Sequence, residues 1–573
     1  MKRKSNTSRK GLIIAITIVI AIVGIAAPTF IRLKDRFFPT TLTYEKAAKK
    51  LDSMLKNVPW SQNIVQRRAQ IELGTAQDLT TMLPSIDEFP LMNQPSGGDI
   101  VLEIFASTEK SGTGDDGWLV EVADKFNAQN QQLNSGQRVK VNIRKIASGT
   151  GYQFIASRKY LPDGFSPSSH LWIQMARAHG VTMTPVRESM AGNIAGIVMK
   201  DAVADEMKTT YGSLDIKNMI DAVVQGKLAM GYTNPFASSA GLNFLFTVLA
   251  TFADGKEEMM LDPTVVSAFE SFQRGVPFVC QTTMQMRESV EKGGALDAFV
   301  MEYQTFSKIP VLKAGYEFIP FGVRHDNPLY GVGELSSQKQ EALELFAAFA
   351  EQDTYKKSAD KYGFNPDLAY TSAFDIPSGD ILVHAQKLWK EKKDAGRPIS
   401  AIFLCDVSGS MAGSRMNALK QSLMKGSEFI AAENSIGLVF FNHEVNIVLP
   451  VDKFNLSHKA SFYAAVQDMF AEGGTAMYNG VLVSLHMLIE EKQSNPNAKT
   501  TLFVLTDGET KDGYQFRDIR PVVEALGIPI YTIGYEADLP ILQELSSIVE
   551  AASINANEEQ VQYKIGSLLN AQM

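Results

Sequence analysis

Cysteine is nearly missing from this chain of 573 residues; only Cys280 and Cys405 occur. Two thiols so far apart in sequence exclude a disulfide framework or a thiolate-ligated metal cluster. Histidine is scarce as well, with seven residues. His443-Glu444 lacks the second histidine, four positions after the first, that a zinc-hydrolase helix needs. There is no Gly-x-Ser-x-Gly turn to present a nucleophilic serine, and no Gly-x4-Gly-Lys-Ser/Thr loop to cradle phosphates. Ser408 and Ser410 have no neighbouring histidine in sequence to act as base. Enzyme activity is not expected. A basic surplus is also absent: 55 Lys and Arg face 63 Asp and Glu, a net charge of −8. That balance argues against a nucleic-acid partner.

What is present is the material for several cores. Hydrophobic residues make up 45% and charged residues 21%, an ordinary globular composition. At roughly 100–200 residues per domain, the length implies more than one. Between Lys10 and Arg32 lie 21 uncharged residues, rich in Ile, Val and Ala. As a helix that run spans about 30 Å, the thickness of a bilayer core. A cleaved signal peptide, with Ala26 and Ala27 as the small residues, is the rival reading; the length of the run favours an uncleaved anchor. Lys2, Arg3, Lys4, Arg9 and Lys10 precede it and Arg32, Lys34 and Arg36 follow. A short basic tail places the N-terminus inside and the bulk of the chain outside the cytoplasm.

Thr43 to Lys56 reads as an amphipathic helix with Leu51, Met54 and Leu55 on one side. It opens a stretch read as a solvated stalk that closes on the linker Gln94-Pro95-Ser96-Gly97-Gly98. From there strand and helix alternate: Ile100–Ala106, Trp118–Gln129, Val139–Ile146, then a helix opened by Ser148-Gly149-Thr150-Gly151. This order implies βαβ units and a parallel sheet. With the segments Pro162–Ser169 and Tyr232–Gly241 and a strand over Phe299–Gln304, it resembles the type II periplasmic solute-binding proteins of the molybdate and sulfate group. The resemblance implies two lobes and a cleft that holds a small solute or oxyanion on hydroxyls and helix N-termini, where unpaired N–H groups favour anions. Ser148, Thr150, Ser169, Asn234, Ser238, Ser239 and Tyr303 are the candidate cleft residues. Plain capping and turn roles compete at each.

The charged run Trp389–Arg397 reads as a solvated hinge. After it comes an apolar run, Ile399 to Cys405, that stops at Asp406-Val407-Ser408-Gly409-Ser410. Three oxygen donors in five residues suit a hard cation. A second apolar run, Thr501 to Leu505, stops one residue before Asp507, and Glu472-Gly473-Gly474-Thr475 places a hydroxyl in a glycine loop between them. Near-continuous apolar strands between helices indicate a sheet covered on both faces, and such sheets bind ligands at their carboxyl ends. The five residues Asp406, Ser408, Ser410, Thr475 and Asp507 resemble, in order and spacing, the metal-ion-dependent adhesion site of von Willebrand factor type A (VWA) domains. The resemblance implies Mg²⁺ as cofactor, with Mn²⁺ and Ca²⁺ as the other hard cations, and a protein partner that supplies a carboxylate to the metal.

The expected fold class is therefore α/β: a doubly wound, Rossmann-like C-terminal domain, a two-lobed middle domain and one N-terminal transmembrane helix. The expected order is a basic tail (1–10), signal anchor (11–31), juxtamembrane stalk (32–97), solute-binding-like domain (98–395) and VWA domain (396–573). The expected function is that of a single-pass, extracytoplasmic binding protein of the cell membrane. Its metal site would hold a partner while the middle domain serves as ligand sensor or platform. A solute receptor for a transport system, and an envelope assembly or metal-chelation factor, are the alternatives.

Overall fold

The computed structural model describes residues 42–71, 79–276, 279–280, 286, 296–508, 510–535, 539–546, 553–556 and 561–573. The candidate membrane span 11–31 lies outside these. Among the described residues no helix is long and apolar enough to cross a membrane.

The first described element is helix α1, Tyr44–Leu55, capped by Thr43, whose hydroxyl accepts from Lys46 N. Its apolar side, Ala47, Leu51, Met54 and Leu55, is buried. Strand β1, Trp60–Gln62, follows. These elements correct the reading of a solvated stalk. The apolar stripe of α1 packs with Val481, Leu485, Ile519 and Val523 of the C-terminal domain, and β1 extends that domain's sheet, pairing parallel with residues 445–447. Residues 63–69 continue along the C-terminal domain, with Asn63 N, Val65 N and Ala69 N donating to the carbonyls of Ile447, Val448 and Ala460, while residues 86–89 dock on the middle domain, where Arg144 Nη1 donates to the carbonyls of Ile86 and Phe89. An amphipathic helix cannot leave its stripe in water, and here it covers the C-terminal core.

The middle domain has two five-stranded sheets. Strands β2 (Ile100–Ala106) and β3 (Val139–Lys145) are followed by helix α2 (Ser148–Ala156), then β4 (Gly164–Ser166) and β5 (Met183–Arg187). Strands β6 (Ala195–Lys200) and β7 (Met230–Thr233), helix α3 (Ser239–Phe252), and strands β8 (Val279–Cys280), β9 (Ala298–Glu302), β10 (Tyr316–Pro320) and β11 (Leu329–Val332) complete it. The sheet orders are β3-β2-β4-β11-β5 and β10-β6-β9-β7-β8, the two lobes expected. β9 ends at Glu302 and Tyr303 starts a short helix, earlier than the strand expected to Gln304.

Helix α4, Gly379–Lys392, leads to the C-terminal domain. Its Trp389 is wholly buried, as are Lys393 and Ala395 beyond it, so the expected solvated hinge is a packed junction. There follow β12 (Ile399–Asp406), α5 (Ser414–Gly426), β13 (Ser435–Phe441), β14 (Val445–Lys453) and α6 (Met477–Ser494). The remainder is β15 (Lys499–Thr506), α7 (Phe516–Leu526), β16 (Ile530–Tyr535), β17 (Ser553–Ala556) and α8 (Val561–Gln572). The sheet order is β1-β14-β13-β12-β15-β16-β17, with β13–β14 the antiparallel pair. Every residue of the central strand β12 is buried, as a strand covered on both faces requires. Helix α5 ends at Gly426. At Gly426 helix α8 comes so near that a Cβ would meet Leu569 Cδ1 at 2.9 Å.

Candidate functional site

Parallel pairing of β12 with β15 sets Cys405 beside Leu505, so Asp406 and Thr506 leave the sheet together. The Thr506 hydroxyl donates to Asp406 Oδ2 at 2.5 Å and in turn accepts from Gly508 N at 3.1 Å. Ser408 N donates to Asp406 Oδ1 at 2.8 Å. The Ser408 and Ser410 hydroxyls lie 3.1 Å apart. The glycine loop is tied to this turn by backbone bonds: Glu472 N to Val407 O at 2.8 Å, and Gly409 N to Gly473 O at 3.1 Å. Gly473 has φ +77°, and a Cβ there would stand 2.4 Å from His443 Nδ1, so only glycine closes the loop. Asp512 fixes the next turn by accepting from Thr475 N at 3.2 Å. The three loops expected to converge at this sheet end do so.

The electrostatics single out two carboxylates. Burial pushes the Asp406 carboxyl up to about 6, against the hydrogen bonds from Ser408 and Thr506 and with the help of the neighbouring Asp507 charge. Asp507 is 6% exposed. Its Oδ2 lies 3.5 Å from Arg415 Nη1, while Oδ1 is buried with no hydrogen-bond partner among the described residues. A buried, unpaired carboxylate oxygen is costly unless something outside the side-chain inventory meets it. The donor chemistry fits a hard divalent cation: two carboxylates and three hydroxyls, with no nitrogen or sulfur. Among the described residues no group of three His, Cys, Asp or Glu is placed to hold a metal; hydroxyls supply most of this set. Thr506, Arg415 and Asp512 were missed in the sequence. Thr506 carried the one available signal, a hydroxyl adjoining Asp507 at a strand end.

The interlobe cleft is a second candidate. A cavity of about 40 Å³ is lined by Ser148, Ser168, Ser238, Ser239, Glu109 and Glu302, among others. Of the sequence-predicted residues, Ser148, Ser238 and Ser239 line it. The others are not among its lining residues and have partners of their own. Thr150 pairs with the hydroxyl of Tyr563 on α8 at 3.2 Å. Ser169 accepts from Leu171 N, and Asn234 Oδ1 from Phe236 N. The Tyr303 ring packs on Phe306 and Phe318. The reading missed Glu109, Lys110 and Glu302. Glu109 Oε1 accepts from the hydroxyls of Ser107 and Ser168. Burial would raise its carboxyl, but the Lys110 ammonium and those hydroxyls hold it below the usual range. Glu302 takes Asn193 Nδ2 at 3.0 Å and His325 Nδ1 at 2.9 Å. Asn243 is oriented by Val323 on both amide atoms and turns its NH₂ to His325 Nε2. Nε2 therefore accepts, and the imidazole is neutral with its proton on Nδ1.

Residues 401–567 match the family model of the von Willebrand factor type A domain, and residues 111–365 that of the bacterial extracellular solute-binding proteins. Inter-alpha-trypsin inhibitor heavy chain H3 of Bos taurus is 28% identical over 157 residues, 25% of this chain. The chain spans only 17% of that protein's length. A von Willebrand factor type A structure from Catenulispora acidiphila is similar at 16% identity and TM-score 0.28, over 30% of this chain and 42% of that one. The sulfate-binding protein SubI of Mycobacterium tuberculosis is similar at 14% identity and TM-score 0.33, over 50% of this chain and 91% of that one. The chain thus joins a segment similar to bacterial extracellular solute-binding proteins to a C-terminal segment similar to von Willebrand factor type A domains.

Proposed function

We propose that the chain is a membrane-anchored, extracytoplasmic binding protein without enzyme activity, and that its C-terminal domain holds a protein partner through Mg²⁺. Asp406, Ser408, Ser410, Thr475 and Asp507 would hold the ion. Bound there among few charged donors, Mg²⁺ supplies a Lewis-acidic position for a partner's carboxylate. The residues of the chain do the rest: Thr506 and Ser408 orient Asp406, Gly473 brings the Thr475 loop to the Asp406 turn, and Arg415 steadies one oxygen of Asp507. The observation that carries this reading is a buried carboxylate oxygen, Asp507 Oδ1, that no described side chain satisfies, next to the Thr506–Asp406 bond and the backbone bonds that join the Asp406 turn to the glycine loop.

For the middle domain the platform role is favoured over that of a solute sensor. Its cleft of about 40 Å³ has room for roughly three waters. Glu109 already takes the hydroxyl protons of Ser107 and Ser168, donors that an entering oxyanion would need. The test of partner binding is capture on the immobilised full chain in Mg²⁺ and in chelator, for wild type and for Asp507→Asn. Proteins that chelator elutes from wild type should not be retained by the variant. Retention indifferent to both chelator and substitution would refute the reading.

A further inference from the structure

The junction between the two domains holds more positive charge than its carboxylates can balance. Lys393 follows α4 with its side chain only 5% exposed, and its ammonium bonds the Asp394 carboxylate. Lys499, the first residue of β15, donates to the other oxygen of Asp394 at 3.1 Å. Lys492 of α6 donates to the carbonyl of Ala498 at 2.5 Å. All three lysines line one cavity of about 330 Å³, and among the described residues Asp394 is the one carboxylate lining it. Arg397, whose Nε points to the Asp394 carbonyl at 3.4 Å, adds a fourth cation beside them. The nearby acids are engaged elsewhere. Glu270 pairs with Arg274 at 3.5 Å and Lys392 at 3.4 Å, and Glu491 accepts from the Ser400 hydroxyl.

The strain of this arrangement is visible in the groups themselves. Burial, with Arg397 close by, pushes the ammonium groups of Lys492 and Lys499 down. Asp394, which burial alone would raise, is held below the usual carboxylate range by Lys393 and Lys499. Like charges gathered in a half-buried site disfavour their own charged forms, and an anion between them would reverse the sign. Three ammonium groups against one carboxylate leave a balance of +2 on the cavity wall. Lysine ammonium groups act as point charges and bind phosphate oxygens well. A phosphate monoester carries about −1.5 to −2 at neutral pH. The lining also has an apolar part, Leu526, Ile528, Pro529 and Tyr531, and the volume exceeds what a bare phosphate would fill.

We propose that this junction cavity binds a small organic phosphate, its dianionic group among Lys393, Lys492 and Lys499 and its organic part against the Ile528–Tyr531 wall. The site lies at the amino ends of β12, β15 and β16. The metal loops lie at the carboxyl ends, about 25 Å away along an eight-residue strand, so the two functions are separable. Gln273, Val276 and Val279 of the middle domain also line the cavity; an occupant would tie the domains together.

The experiment is calorimetric titration of the full chain with phenyl phosphate, inorganic phosphate and benzoate at equal ionic strength, paired with thermal unfolding. Phenyl phosphate should bind saturably, more tightly than the other two, and raise the unfolding temperature. Lys499→Gln and Lys492→Gln should each weaken binding by about tenfold, the cost of losing one charge-assisted hydrogen bond. Lys492 bonds a carbonyl rather than Asp394, so its variant keeps the test open if Lys499→Gln misfolds. Asp406→Ala should bind phenyl phosphate as wild type does. Absence of saturable binding, benzoate or inorganic phosphate binding as tightly as phenyl phosphate, lysine variants that bind like wild type, or loss of binding in Asp406→Ala would each overturn the proposal.

Discussion

The loops at the carboxyl ends of β12 and β15 and the interlobe cleft are made from the same side chains, serines and threonines at helix starts beside buried carboxylates, yet they are in opposite states of completion. In the cleft both carboxylates are satisfied from within: Glu109 by Ser107, Ser168 and Lys110, Glu302 by Asn193 and His325. At the loops, Asp507 Oδ1 is buried without a partner, and Asp406 is pushed up to about 6 by burial and by its acidic neighbour. Residue type alone does not make a site. What separates the two is the inventory of donors around each oxygen, and of these carboxylates only Asp507 has a buried oxygen without a donor among the described residues.

The strongest way to break this comparison is Glu302→Ala. If the cleft carboxylates are structural, removing one leaves two buried donors, Asn193 Nδ2 and His325 Nδ1, without an acceptor. The middle domain should lose about 3 kcal/mol, read as a lowered calorimetric transition, while Mg²⁺ binding is unchanged. A smaller loss is expected on the other side from Thr506→Val, which removes the donor to Asp406 and the acceptor of Gly508 N: about 1–2 kcal/mol, together with weakened Mg²⁺ affinity. A drop in stability with Mg²⁺ affinity intact would show that Thr506 does not orient Asp406. Tyr563→Phe cuts the hydroxyl bonds to Thr150 and Gln153 at the domain contact. It should cost about 1 kcal/mol and separate the unfolding transitions of the two domains without touching either site. The smallest effect belongs to the half-exposed pair Arg67–Asp468 at 2.8 Å; Arg67→Ala should shift stability by roughly 0–1 kcal/mol, and a larger change in a denaturant titration would mean that the Arg67 bonds to Ala464 O and Gln467 Oε1 also hold the segment.

The loops were legible in the sequence because each is announced locally: at Asp406 and Asp507 an apolar strand ends and oxygen donors follow, and at Thr475 a glycine pair precedes the hydroxyl. Asp406 and Asp507 are placed by strand length alone. Three other features were not legible, each for a physical reason. The apolar stripe of α1 was visible, but which surface covers it is a tertiary fact, so residues 44–62 read as stalk instead of part of the C-terminal domain. Lys390 to Lys393 looked like a solvated charge run because composition cannot show that Trp389 draws Lys393 into the junction. Thr150 sat at the right distance from Ser148 for a cleft, but on a helix two residues turn the side chain by about 200°, and it meets Tyr563 instead.

The central claim is that Asp406 and its four companions hold a divalent cation. The most direct measurement is isothermal titration of the full chain with Mg²⁺, beside Asp406→Ala and Glu109→Gln. The account predicts one saturable site in wild type, the same site in Glu109→Gln, and none in Asp406→Ala; equal Mg²⁺ binding by wild type and Asp406→Ala would contradict it.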